Sequence, residues 1–295
     1  MLDNFFTENE ISYLENESLK KHNTFKVGGE ARYIAFPNDE KQVITILKHL
    51  EKEKIKYYFL GRGSNVIFRD EGFDGVIIKS SNLKGIDFIG DNTVYVQSGV
   101  SLNNICKVLQ DNSLAGIEFC YGIPGNIGGS IYMNAGAYGG EICQAVESVK
   151  YIDENFEIKT INVNDCKFSY RDSIFQKRKW FILGCTLKLH SENKEKIQCF
   201  MDEIMQKRLD KQPLDMPSAG SSFKRPVGYF AAALIEESGL KGYSIGGAQI
   251  SNKHSGFIVN TGNATCKDIE DLANYTEKTV LEKTGIAIEK EMIIV

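Results

Sequence analysis

The pentapeptide Gly61-Arg62-Gly63-Ser64-Asn65 follows directly on the apolar run Tyr57-Tyr58-Phe59-Leu60. Glycines let backbone N–H groups converge on one point and let a ligand come close to the chain. Ser64 and Asn65 add side-chain donors. This set suits a diphosphate, and it would equally serve a tight turn between strands. The Gly-x-Gly-x-x-Gly spacing and the Gly-Lys-Ser/Thr ending are both absent, so the loop is neither a Rossmann fingerprint nor a P-loop.

A second glycine-rich segment runs from Gly122-Ile123-Pro124-Gly125 through Gly128-Gly129 and Asn134-Ala135-Gly136-Ala137 to Gly140. Glycine at this density is costly to order, and in a buried loop it signals a ligand or another backbone pressed against it. With Ser130, Ala135 and Ala137 between the glycines, the segment predicts a flat surface on which a planar ring such as a flavin could lie. An unusual buried crossover is the alternative. A third segment, Pro217 to Pro226, joins hydroxyls (Ser218, Ser221, Ser222) to the cation pair Lys224-Arg225; standing alone it reads as a polar linker. Arg171, in Tyr170-Arg171-Asp172-Ser173, and the pair Glu289 and Glu291 read by themselves as ordinary surface charges.

These segments need elements to hold them. Asn38 can cap a helix with Val43, Ile46, Leu47 and Leu50 on one face. Tyr57–Leu60 and Val76–Ile78 read as strands. Ser101 can cap a helix with Leu102, Ile105, Val108 and Leu109 as its buried stripe. Strands are expected at Val146–Ile152, Ile158–Val163 and Phe181–Leu189, then a helix from about Glu195 to Arg208 with Ile197, Phe200, Met201, Ile204 and Met205 on one side. Pro213 and Pro217 mark a boundary near Lys211. Helices follow from about Tyr229 to Ser238 and Lys267 to Lys283, stopping at Gly239 and Gly285. Phe257–Val259 reads as a strand between them, and Ile286 to Val295 as a final strand placing Glu289 and Glu291 on one side. The fold class is α+β with mixed sheets.

The 295 residues can bury a sizeable core. A net charge of −4 gives no global field toward nucleic acid or anionic lipid. Neither a secretory signal nor an apolar run of about 20 residues is found, so no membrane partner is expected. Seven scattered cysteines without a Cys-x-x-Cys pair, and four histidines far apart, speak against a disulfide framework and a metal site and fit a cytoplasmic location.

The chain resembles the bacterial UDP-N-acetylenolpyruvoylglucosamine reductases over essentially its whole length. The resemblance rests on six motifs in order. They are Asn23-Thr24-Phe25-Lys26-Val27-Gly28-Gly29, the loop 61–65, the segment ending Met133-Asn134-Ala135-Gly136-Ala137-Tyr138-Gly139, Tyr170-Arg171-Asp172-Ser173, Ala219-Gly220-Ser221-Ser222-Phe223-Lys224 and Ile288-Glu289-Lys290-Glu291-Met292. It implies three domains: residues 1–79 with 286–295 and residues 80–207 as two parts of a vanillyl-alcohol-oxidase-type FAD-binding half, and 208–285 as a substrate domain. It implies non-covalently held FAD, NADPH as co-substrate, and an enolpyruvyl nucleotide sugar reduced to UDP-N-acetylmuramate for peptidoglycan. Hydride would pass from flavin N5 to the vinyl carbon. Arg171 matches the catalytic arginine, Ser221 the serine proton donor and Glu291 the catalytic glutamate. Tyr170, Lys211 and Arg225 match substrate-binding positions. The cofactor positions are Gly61, Arg62, Gly63, Ser64, Asn65, Gly122, Ile123, Pro124, Gly125, Gly128, Gly129, Asn134, Ala135, Gly136 and Ala137. Lys290 stands where the family usually has proline. The short interval from Arg171 to Ser221 leaves no room for an inserted tyrosine loop and implies the shorter subtype. A monomer is expected. The rival readings are an alcohol oxidase of the same fold, disfavoured by the lack of a histidine in residues 61–65, and a non-catalytic flavin sensor.

Overall fold

In the computed structural model, which describes residues 2–295, the described residues form seven α-helices: α1 (Leu2–Glu8), α2 (Glu40–Lys52), α3 (Leu102–Asp111), α4 (Ile127–Met133), α5 (Lys194–Lys211), α6 (Ala231–Glu237) and α7 (Cys266–Thr284). The periodic apolar positions of α2 are all buried. Its cap is Asp39, one residue later than Asn38, because the Asp39 carboxylate accepts the Gln42 N–H at 2.8 Å. Ser101 caps α3 as expected, and Cys106 joins Leu102, Ile105 and Leu109 in the buried stripe, where Val108 is only partly covered. On α5, Ile197, Met201 and Ile204 are buried while Phe200 points outward. α7 ends where Gly285 turns left-handed at φ 73°.

The chain packs as two compact units. Unit 1 comprises residues 1–15, 33–62 and 75–206; unit 2 comprises residues 16–32, 63–74 and 207–295. Unit 1 contains a five-stranded antiparallel sheet in the order Ile158–Asn162, Val146–Ile152, Phe181–Lys188, Thr93–Gln97, Ile86–Gly90. Val94, Val96, Ile105, Leu109, Ile127, Ile131 and Leu187 lie in the hydrophobic cluster there. A second cluster joins α1 and α2 to Val76, Ile78, Phe181 and Leu183. In the four-stranded sheet, Tyr57–Leu60 pairs in parallel with Val76–Lys79, which sets the end of Leu60, and so the start of the glycine loop, beside Lys79. Unit 2 packs α6, α7 and a three-stranded sheet (Ser244–Ile245, Ala248–Ile250, Ile258–Asn260) around one cluster that includes Phe25, Ile67, Phe223 and Met292. No described helix is long and apolar enough to cross a membrane, and no described group of His, Cys, Asp and Glu could hold a metal ion.

Two expectations are corrected. The segment 286–295 is not one strand: only Ile293–Ile294 pairs, in parallel with Val66–Ile67, and a lone bridge joins Lys290 to Phe223. The segment changes partner between these points, with a bend at Met292, so it cannot keep one straight ladder. The second glycine segment is not a flat loop, because α4 lies inside it. Asn126 caps α4 by accepting the Gly129 N–H, and Ile127 and Ile131, four apart, both reach the core. Gly128 is needed there because a Cβ would lie 2.9 Å from Ser98 Cβ.

In unit 2, His254 Nδ1 accepts the Gly256 N–H at 3.1 Å, so the ring must be neutral at that nitrogen. Burial is the main cause holding the imidazole below the usual histidine range. The unfolded chain then binds the proton more readily than the folded one, so stability rises with pH across the interval between the two values. Lowering pH through about 6.5 is expected to cost stability, and His254→Gln is expected to flatten that dependence. Urea titrations at several pH values measure it; an unchanged pH slope in the variant would show that His254 is not the group.

Candidate active site

The loop 61–65 is divided between the units, with Gly61 and Arg62 in unit 1 and Gly63, Ser64 and Asn65 in unit 2. Gly63 is buried with φ +73°, and a Cβ there would lie 2.3 Å from the His22 carbonyl oxygen, so only glycine fits. Among the described residues, the backbone N–H groups of Gly61, Arg62, Gly63 and Ser64 donate to no protein acceptor. Of these only Gly63 is buried, where an unpaired donor is rare, and a run of consecutive open N–H groups suits an anion such as a diphosphate. In unit 1, Lys79 stands close enough to Arg62 to feel its charge; burial first and the Arg62 guanidinium second hold the Lys79 ammonium below the usual lysine range. An anion beside this pair would relieve both effects. Within unit 1, the open N–H groups of Gly61 and Arg62 beside the Arg62 and Lys79 cations therefore fit the diphosphate of a dinucleotide such as FAD.

The second glycine segment contributes differently. Its N–H groups are largely engaged: Gly122 with Asn103 Oδ1, Gly125 with the Ile123 carbonyl, Gly128 with the Ser98 carbonyl and Gly129 with Asn126 Oδ1. Asn126 connects the two glycine segments within unit 1. Its Nδ2 donates to Ser80 Oγ at 3.2 Å, and a Cβ on Gly61 would lie 2.5 Å from its Oδ1. Ile123 packs on the core, Pro124 is exposed, and Ala135 and Ile142 are bonded through backbone N–H to O at 2.9 Å. Gly136 and Ala137 pair with Glu141 and Gly140 as a short antiparallel ladder. The buried Asn134 closes α4 in the left-handed region at φ 44°.

Arg171 lies in unit 1 at the tip of a turn closed by reciprocal backbone bonds between Ser169 and Asp172, both 3.1 Å. Its own φ is +56°. The guanidinium donates from Nη2 to the Gly136 carbonyl at 2.9 Å and lies 4.9 Å from the centre of the exposed Tyr170 ring. A planar cation is thus brought to the rim of the second glycine segment.

Unit 2 resolves two pairs of neighbours. Ser222 is fully buried and its hydroxyl accepts the Ile258 N–H at 2.9 Å, whereas Ser221 is exposed. Glu289 is exposed and paired with Lys224 at 3.4 Å. Glu291, partly buried, donates its N–H to the Ser222 carbonyl at 2.8 Å, and its own carbonyl accepts Asn65 Nδ2 at 3.1 Å. Ile293 N–H bonds the Asn65 carbonyl at 2.9 Å. The C-terminal segment thus returns to the loop 63–65, and Ser221, Glu291 and Asn65 fall in one neighbourhood. Lys211 ends α5 and is exposed; Arg225 is exposed, its guanidinium 4.6 Å from the Phe230 ring centre. Lys79, Asn126 and Gln176 carry no signal of their own in the sequence: Asn126 lies inside the second glycine segment, Lys79 reaches the first glycine loop only through strand pairing with Leu60, and Gln176 follows the Arg171 motif by three residues, so only their partners reveal them.

Residues 31–162 match the family model of an FAD-binding domain. With its α+β sheets and open phosphate-type loop, the chain falls in the class of FAD-binding proteins. Residues 212–295 match the UDP-N-acetylenolpyruvoylglucosamine reductase C-terminal domain. The chain is 46% identical over 280 residues to the UDP-N-acetylenolpyruvoylglucosamine reductase of Caldanaerobacter subterraneus subsp. tengcongensis, covering 95% of this chain and 92% of that protein. It is 42% identical over 295 residues to that of Clostridium perfringens strain SM101, covering 100% and 96%. The crystal structure of the Thermus caldophilus reductase superimposes with a TM-score of 0.82 at 30% identity, covering 96% of this chain and 98% of that one. The chain belongs to the UDP-N-acetylenolpyruvoylglucosamine reductase family.

Proposed function

We propose that this protein is an NADPH-dependent flavoenzyme that reduces UDP-N-acetylglucosamine enolpyruvate to UDP-N-acetylmuramate. The observation that carries the reading is family membership along the full chain. Bound FAD supplies the hydride for the vinyl carbon and is reloaded by NADPH. The open N–H groups of Gly61 and Arg62, with the Arg62 and Lys79 cations, hold the diphosphate of the cofactor. Hydride addition places negative charge on the carboxylate side of the substrate. Arg171 holds that carboxylate and stabilises the growing charge. Glu291 serves in its protonated form, since an ionised carboxylate would repel the enolate, and Ser221 delivers the proton to the adjacent carbon. Tyr170, Lys211 and Arg225 are assigned to the nucleotide-sugar substrate. On the family resemblance we assign residues 1–79 with 286–295 and residues 80–207 to the flavin-binding half and 208–285 to a substrate domain; the compact units cut the chain differently, packing 16–32, 63–74 and 286–295 with 207–285. The protein works as a cytoplasmic monomer.

The purified protein is expected to be yellow, to bleach with NADPH under anaerobic conditions, and to regain colour when the enolpyruvyl nucleotide is added. Colour restored by oxygen alone would make it an oxidase; colour that NADPH never bleaches would make it a flavin sensor; a colourless protein that takes up no FAD would end the reading.

A further inference from the structure

The turn that carries Arg171 is held in a conformation that its own sequence does not favour. Arg171 has φ +56° at the second position of a two-residue turn, where glycine is the unstrained choice. A residue with a Cβ stays there only when its surroundings over-determine the backbone, and such positions gather at functional sites. What over-determines it is a set of hydrogen bonds onto residues 132–136, the end of α4 and the chain just after it. Asn134 Nδ2 donates to the Ser169 carbonyl at 3.0 Å, and Ser173 Oγ donates to the Tyr132 carbonyl at 2.7 Å. Gln176 makes the most economical of these contacts: its single amide nitrogen donates to the Tyr132 carbonyl at 3.0 Å and to the Arg171 carbonyl at 2.9 Å. The two close neighbours are carbonyl oxygens, with the weak acceptor Met133 Sδ farther off at 3.9 Å, so only the NH2 end of the amide can face them, and both of its hydrogens are engaged by the carbonyls.

We propose that Gln176 is a positioning residue for the reduction step: its amide clamps the Arg171 backbone to the last turn of α4 and so aims the guanidinium. The inference rests on the reading of Arg171 as the group that holds the substrate carboxylate. Gln176 has no part in the chemistry itself. It makes the left-handed Arg171 turn a fixed attachment to the glycine segment, where a shift of about 1 Å at a reacting group can cost roughly 100-fold in rate.

The test uses the FAD-loaded protein and follows the two half-reactions separately by flavin absorbance. In Gln176→Ala, reoxidation by the enolpyruvyl nucleotide is expected to slow roughly 10- to 100-fold. Flavin reduction by NADPH should stay within about twofold, the scatter expected for an uncoupled site. In an Arg171→Ala background, adding Gln176→Ala should cost less than about twofold further, because no guanidinium remains to be aimed. Equal slowing of both half-reactions, or full additivity with Arg171→Ala, would reduce Gln176 to a structural role and overturn the proposal. An Arg171→Ala variant that still reduces substrate normally would instead refute the reading of Arg171, and the proposal with it. Should Gln176→Ala not fold, Gln176→Asn keeps the amide on a shorter arm that reaches one carbonyl at most, and the same split between half-reactions decides the matter.

Discussion

Replacing Ser221 with alanine is expected to leave flavin reduction by NADPH intact and to slow substrate reduction by roughly 10²- to 10⁴-fold, the range for losing a general acid. The neighbouring serine supplies the control. Ser221 is exposed, while Ser222 is buried with its hydroxyl committed to the Ile258 N–H at 2.9 Å. Ser222→Ala leaves that buried N–H without its partner, which costs about 1–3 kcal/mol of stability. It removes no proton donor. Single-turnover reoxidation of the reduced enzyme and urea denaturation, run on both variants, separate the two roles. Ser221→Ala should fail in the first assay and pass the second, and Ser222→Ala should lose chiefly in the second. If Ser221→Ala reoxidises at the wild-type rate, the proton comes from another group. The serine hydroxyl is a weak acid, so nearby donors must support it; the return of the Glu291 segment to Ser222, through the 2.8 Å backbone bond, places a carboxyl group on the adjoining chain.

A methyl group on Gly61 is expected to weaken FAD binding by up to about 1000-fold. A Cβ at Gly61 would lie 2.5 Å from Asn126 Oδ1, closer than any nonbonded contact allows. Asn126 cannot move without loss: its Oδ1 accepts the Gly129 N–H as the cap of α4, and its Nδ2 donates to Ser80 Oγ. Losing a cap costs about 1 kcal/mol, and leaving a buried polar group unpaired costs about 1–3 kcal/mol. Together these amount to roughly 2–4 kcal/mol; where the free loop relaxes away from the clash and FAD requires its native arrangement, that cost appears in binding as a weakening of about 30- to 1000-fold. Isothermal titration of the apoprotein with FAD measures this. The double variant Gly61→Ala with Asn126→Ala makes room for the methyl group, so it should bind FAD no worse than Asn126→Ala alone. Gly61→Ala retaining wild-type affinity would show that the two glycine segments do not act as one cradle.

The parts that read correctly from sequence are those whose information is local. The four apolar positions of α2 and the serine cap of α3 lie within a dozen residues, and a 3.6-residue repeat or a capping side chain is complete at that range. The strand before Gly61, the α+β class and the resemblance carried by six ordered motifs were legible for the same reason. Two misreadings came from the same local logic. The glycines of 122–140 suggested a flat surface for a ligand, yet much of what presses on them is protein. Ser98 packs on Gly128 and the Phe119 ring on Gly140, and α4 forms because Ile127 and Ile131 find a core to enter. The terminal alternation suggested one strand, yet the segment is shared between Phe223 and Val66.

By itself, then, the amino-acid sequence determined α2, α3, α5, α7 and the strands that flank the glycine loop, the family and the candidate chemical groups, because each is written in neighbouring residues or in motif order. Only the tertiary structure decided which of two adjacent serines is exposed and which of two near carboxylates lies beside the loop. It also decided why an arginine can sit at a left-handed turn. Those choices depend on burial and on partners far along the chain: Asn65 meets Glu291 across 226 positions, and Gln176 reaches Tyr132 across 44. A hydrogen bond's worth is set by what surrounds it after folding, and no local pattern encodes that.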